Sequence, residues 1–181
     1  PKGLVNPDYP VDTVDFTPEG AYSQYNWELF FHAPMLIAAR LSQNQRFEEA
    51  QRWFHYIFDP TDASNEDAPR KFWRTKPFHN LQRDDYLKQR IEQLVKPTSA
   101  GTPNPQLALE IEEWRNNPFS PHAVARRRLT AYQKSVVMKY LDNIIAWADQ
   151  LFRRDTMESI NEATQLYILA AEILGSKPTE M

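Results

Sequence analysis

Two stretches of large apolar residues recur at helical spacing in the first third of the chain. One runs from Trp27-Glu28-Leu29-Phe30-Phe31 through Pro34-Met35 to Ala39-Arg40-Leu41. The other runs Phe47-Glu48-Glu49-Ala50-Gln51-Arg52-Trp53-Phe54-His55-Tyr56-Ile57-Phe58, and only the polar Ser42 to Gln45 separates the two. Apolar positions three and four apart make one face of an α-helix, and two such faces joined by a short polar link predict an αα-hairpin. Its helices are expected over 27–43 and 46–58. Pro34 lies inside the first, predicting a kink or a helix that restarts with Pro34 in its first turn. Pro60 stops the second by biasing Asp59 away from helix. Phe47, Ala50, Phe54, Ile57 and Phe58 share a face, while Trp53 and Tyr56 lie off it, so the hairpin needs partners on more than one side.

The remaining pattern is also helical. Leu87, Ile91, Leu94 and Val95 predict a helix over 84–95. Asn104-Pro105 reads as cap and first turn of another, striped by Leu107, Ile111 and Trp114. Ser120-Pro121 repeats that signal ahead of the longest helix, which reaches Arg153. Its face reads Leu129, Tyr132, Val136, Val137, Tyr140, Leu141, Ile144, Ile145, Ala148, Leu151 and Phe152. A final helix begins near Asp155, where two capping boxes compete, Asp155 with Glu158 and Ser159 with Glu162. Ile160, Ala163, Tyr167, Ala170 and Leu174 form one stripe on it and Leu166, Leu169 and Ile173 another. A helix apolar on two sides sits between two neighbours, and Gly175 is its stop.

Between these elements, Pro, Gly and Asp dominate residues 1–24, an expected extended arm containing the alternating Val11 to Phe16 and a turn at Pro18-Glu19-Gly20. Residues 59–82 form a long polar loop with late aromatics, Phe72, Trp73 and Phe78. A loop anchored by these rings outweighs the alternative, in which Lys71-Phe72-Trp73-Arg74 is an exposed contact patch. The fold class is therefore all-α: an irregular bundle of stacked αα-hairpins, with arm 1–24 and helical domain 25–181. The two terminal helices should pack antiparallel, with Phe54, Ile57, Tyr140, Ile144 and Tyr167 in one core. A weak echo pairs Phe47-Glu48-Glu49-Ala50 with Ile160-Asn161-Glu162-Ala163, small Ala at each close contact. That is how tetratricopeptide-like helix pairs stack, although no regular array follows.

Composition narrows the function more than the fold. Of 181 residues, 41% are hydrophobic and 13% aromatic, ample for a core; the net charge of −3 points to neither nucleic acid nor an anionic membrane. No cysteine is present, which excludes disulfides and thiol chemistry, and four glycines leave no phosphate cradle. His32, His55, His79 and His122 are too dispersed for a metal site. The acidic run Asp59 to Asp67 lacks the order of a calcium loop. Arg126-Arg127-Arg128, with Arg115, reads as a solvated helix face or an intersubunit ion-pair site. No catalytic, cofactor-binding or metal-ligating residue is expected, and no segment is long and apolar enough to span a bilayer. A start at Pro1 without an initiator Met suggests an excerpt of a longer polypeptide.

The run Tyr25-Asn26-Trp27-Glu28-Leu29-Phe30-Phe31, Pro34-Met35, Ala39-Arg40-Leu41, Gln45 to Ala50 and Arg52 to Tyr56 resembles the A component of bacterial Tc toxins, the insecticidal toxin complexes. Arg154-Asp155-Thr156, Asn161-Glu162-Ala163 and Leu174-Gly175-Ser176-Lys177-Pro178 resemble it too, so the likeness spans most of 22–178. The resemblance implies a non-enzymatic piece of the helical shell that surrounds the channel of a pentameric translocation subunit. It also implies partners in the rest of the parent chain and in neighbouring protomers, and a secreted or cell-surface location. A tetratricopeptide-like adaptor that binds a peptide is the alternative.

Overall fold

The computed structural model describes residues 14–17, 20–81, 112, 115–116, 119 and 129–176. The helix expected over 84–95, the stripe Leu107, Ile111 and Trp114, the Ser120-Pro121 start and Arg126-Arg127-Arg128 lie outside them. Helix α1 spans Ser23–Trp27, a π-helical turn Glu28–His32, α2 Ala33–Gln43 and α3 Phe47–Phe54. A 3₁₀ turn at Arg70–Phe72 precedes α4, Lys76–His79. Then come α5, Leu129–Phe152, and α6, Met157–Leu174. Among the described residues there is no strand, only one isolated antiparallel bridge between Phe58 and Trp73. The chain is all-α, as its periodicity predicts.

The first helical run begins at Ser23 rather than Trp27, and Pro34 shapes it in a way the pattern leaves open. Pro34 has no amide hydrogen to complete the helical ladder, so a regular helix loses a bond at this point. The chain instead widens just before it, and the Ala33 amide donates to the Glu28 carbonyl, five residues back. The helix then restarts with Pro34 in its first turn. Ser23, Trp27, Phe31, Pro34 and Ala38 all remain on the buried face.

The second helix is shorter than expected. It ends at Phe54, turns through His55 to Ile57, and passes Phe58 into the bridge. The Asp59 amide donates to the Phe72 carbonyl at 2.8 Å and the Arg74 amide to Ile57 at 2.9 Å. These bonds to the returning loop replace the helical ones, which is why the segment ending in Phe58 is not helix. They also bring Trp73 to 5% exposure, so Trp73 anchors the loop, with Phe72 half-buried beside it and Arg74 exposed.

Helix α3 packs between α2 and α5, and α6 lies along α5. The α5–α6 pair is antiparallel: Ala163 meets Ala148 and Leu151 near the turn, while Ala170 joins the cluster of Val136, Tyr140 and Ile144. Both echo alanines, Ala50 and Ala163, are fully buried. Rings bind the layers into one core. Trp27 and Phe31 lie 5.9 and 5.3 Å from Phe78, which lies 5.3 Å from Trp73. Trp73 continues to Phe58 at 4.8 Å, and Phe58 to Tyr140 at 5.6 Å. All but the tilted Phe58–Trp73 pair are edge-to-face, a geometry that adds about 0.5–1.5 kcal/mol per pair beyond area burial.

Phe54, Ile57, Tyr140 and Ile144 are all at 0% exposure, as expected. Tyr167 is not: it is 37% exposed, and its hydroxyl donates to Asp149 Oδ1 at 2.5 Å. Ile145, Phe152 and Leu174, placed on apolar faces by their spacing, are exposed as well. Neither competing capping box forms at the last helix. Thr156 is the N-cap, its hydroxyl accepting from the Ser159 amide, while Ser159 Oγ accepts from the Thr156 amide. Ser159 occupies the third helical position and is buried there, so the box closes one residue after the first candidate and three before the second.

Candidate contact surfaces

A polar seam runs through the junction of α3, the 59–74 loop and α5. Gln51 Nε2 donates to the Tyr140 hydroxyl at 3.2 Å, and His55 Nε2 lies 3.1 Å from the same oxygen. With Gln51 donating to that oxygen, the Tyr140 hydrogen is free to point at a neutral His55 ring. Burial lowers the His55 pKa below its ordinary value and outweighs the attraction of Asp59, whose Oδ1 is 3.9 Å away. Burial also pushes the Tyr140 phenol up. Burial raises Asp59 too, but the hydrogen bonds from Thr61, with His55 and Arg74 nearby, leave its pKa lowered overall. Arg74 reaches Asp59 at 3.5 Å and Asp62 at 2.6 Å. The acidic loop thus spends its carboxylates on its own fold: Glu66 pairs with His79 at 2.8 Å, and Asp62 accepts from the Ser64 amide.

These contacts fix a loop. They hold no exposed nucleophile, and among the described residues no cluster of His, Asp and Glu is suited to a metal ion. His32 lies edge-on to the rings of Phe31 and Tyr132. His122 lies outside the described residues, and Arg115 is exposed. No described helix is long and apolar enough to cross a membrane.

What the arrangement offers is surface. A groove of about 750 Å³ opens between the Pro60–Trp73 loop and the α5–α6 hairpin. Phe58, Phe72 and Trp73 form one wall, Val137 and Met138 the floor, and Leu169 and Ile173 the far wall. Gln133 also lines it, 4% exposed, and neither atom of its amide has a hydrogen-bond partner. Gln133 sits on the α5 stripe itself, four residues after Leu129 and three before Val136, so a polar side chain among apolar positions is the sequence signal for it. Elsewhere, Met138, Ile145 and Phe152 recur every seven residues on an exposed edge of α5, and Tyr22, Tyr25, Leu29 and Leu36 are exposed along α1 and α2. Trp27 and Trp73 are buried, Trp53 and Trp147 are half-buried, and Trp114 lies outside the described residues.

No family model matches the chain. It is 27% identical over 164 residues to toxin subunit YenA2 of Yersinia entomophaga, a match covering 88% of this chain and 10% of that protein. Two solved structures share its fold. Morganella morganii TcdA4 superposes with a TM-score of 0.60 at 32% identity, covering 93% of this chain and 6% of TcdA4. Yersinia pseudotuberculosis TcaA-TcaB gives a TM-score of 0.59 at 26% identity, covering 91% of this chain and 8% of that one. The chain therefore spans about a tenth or less of the length of the proteins it matches.

Proposed function

We propose that this chain, which is related to the Tc toxin components, is a structural, non-enzymatic module in the helical shell of an A component. In that role it contacts other parts of its own polypeptide and the adjacent protomers of a pentamer that is secreted or held at the bacterial surface. One observation carries the reading: the likeness to TcdA4 runs over nearly the whole chain at 32% identity, while the chain exposes more large apolar side chains than an independent module requires. The ring-to-ring core supports the same view. It makes a stiff block of helices, and among the described residues no group of His, Asp and Glu is suited to a metal ion.

The test uses the complete polypeptide that carries this segment. Sedimentation and electron microscopy should find a fivefold particle with the segment in its outer wall, located by an epitope inserted at Asn65, in the exposed loop. A particle that is monomeric at all concentrations, or an epitope on the central axis, would sink the proposal.

A further inference from the structure

We infer that the groove between the Pro60–Trp73 loop and the α5–α6 hairpin seats an apolar polypeptide segment from outside these 181 residues, gripped at one main-chain amide by Gln133. The inference rests on the reading of this chain as part of a much larger toxin subunit.

The lining supplies the first argument. Three aromatic and six other apolar side chains enclose room for a few large apolar side chains, the scale of an anchored peptide. Gln133 supplies the second. A buried amide with both its donor and its acceptor unpaired is destabilising, and an apolar residue of similar shape would avoid that cost. Its carbonyl and NH₂ match the N–H and C=O of one peptide unit, and the broad terminal torsion of glutamine lets the amide turn to meet them. A lipid chain or a metal ion offers no such pair. At the rim, Lys134 on α5 and Glu172 on α6 carry opposite charges and form no ion pair with another described residue, which suits a segment with an acid near one end and a base near the other.

The source follows from length and shape. Related proteins are about ten times longer than the match, so most of such a chain is available to supply the segment. A second copy meeting the groove across a twofold axis would set one concavity against another and leave both empty.

The absence of cysteine makes the test direct. Val137→Cys, a near-isosteric change on the groove floor, is introduced into the isolated 181-residue chain and into the complete polypeptide with its other cysteines replaced. Gln165→Cys on the exposed side of α6 is the control. A maleimide should label Val137→Cys readily in the isolated chain and at least tenfold more slowly in the complete polypeptide. Adding Gln133→Leu should leave the isolated chain's rate unchanged but restore most of the labelling in the polypeptide. Equal rates in both settings would overturn the inference, and so would protection that Gln133→Leu leaves intact. Slow labelling already in the isolated chain would place the occupant within these residues, and protection growing with its concentration would place a second copy there; either defeats the proposal. Sedimentation of the same polypeptide separates the two readings. A fivefold particle with an unprotected groove defeats only this inference, and a protected groove in a monomer defeats only the shell assignment.

Discussion

Tyr140 shows how a single side chain can serve both core and seam. Its ring packs edge-on against Phe54 at 5.7 Å and Phe58 at 5.6 Å, and its hydroxyl collects Gln51 and His55 at the boundary with the loop. Removing the hydroxyl in Tyr140→Phe strands two polar partners and should cost about 1 kcal/mol in chemical unfolding. One turn on, Ile144 is fully buried between the layers, so Ile144→Ala should cost about 2–5 kcal/mol. A loss below about 0.5 kcal/mol would show that the site collapses around the change. The seam also sets a pH dependence. Unfolded His55 takes up a proton near pH 6.5, whereas the folded ring resists protonation because it is buried. Below that pH the unfolded state binds more protons, so stability falls on acidification. Asp59 has the same sign in a lower window, its contribution present above about 3.8 and lost as pH drops through its depressed folded value. The melting temperature should therefore fall from pH 7 to 5, and His55→Gln should flatten that slope. An unchanged slope would mean that His55 is not the group responsible. Of these residues, Phe54, Ile57, Tyr140 and Ile144 were legible in the three-four spacing alone. Tyr167 was not: spacing gives the angle of a side chain around its helix but not whether a neighbour covers that edge, and its hydroxyl found Asp149 instead.

At the scale of elements, the spacing that makes a helix was legible and the chemistry that ends one was less so. The α2–α3 turn closes as a Schellman motif, with the Arg46 amide on Leu41 and the Gln45 amide on Ser42. Gln45 stands at φ 61°, where glycine is usual, and nothing in the sequence announces that position. Relief of the left-handed strain should make Gln45→Gly stabilising by about 0.5–1 kcal/mol, and Gln45→Val should be worse than the native residue. Calorimetry of the two variants checks the order. The start of α6 misled for a related reason. Asp155 has φ 54° and so belongs to the turn, which hands the cap to Thr156. Thr156→Ala should cost about 1 kcal/mol, while Glu158→Gln, which leaves the cap intact, should cost less than half of that. Equal effects would restore the Asp155–Glu158 box. The early end of α3 was hidden from the sequence because it depends on Phe72 and Arg74, which approach Asp59 and Ile57 only once the loop has folded back.

For the whole molecule, the apolar surplus read in the hairpin is met in two ways. Part of it is absorbed internally by the ring chain from Trp27 to Tyr140 through Phe78 and Trp73. That long-range mesh is absent from any local pattern, although the late loop aromatics hinted at it. The rest stays outside. Ile145 and Phe152 lie a heptad apart on one edge of α5, and Met157 at the start of α6 is exposed close behind them in sequence. A face with this spacing is shaped for another helix, and in isolation it has only water or a second molecule to meet. The isolated chain should accordingly self-associate in sedimentation velocity, with a mean mass that rises with concentration. Because Ile145 and Phe152 contribute little to the core, the double change Ile145→Lys/Phe152→Lys should return the chain to monomer with a melting temperature within a few degrees of the original. A native chain that stays monomeric throughout would count against a role that depends on burying this face in a larger particle. A double variant that still self-associates would move the contact to the exposed Tyr25, Leu29 and Leu36 of the first helical run.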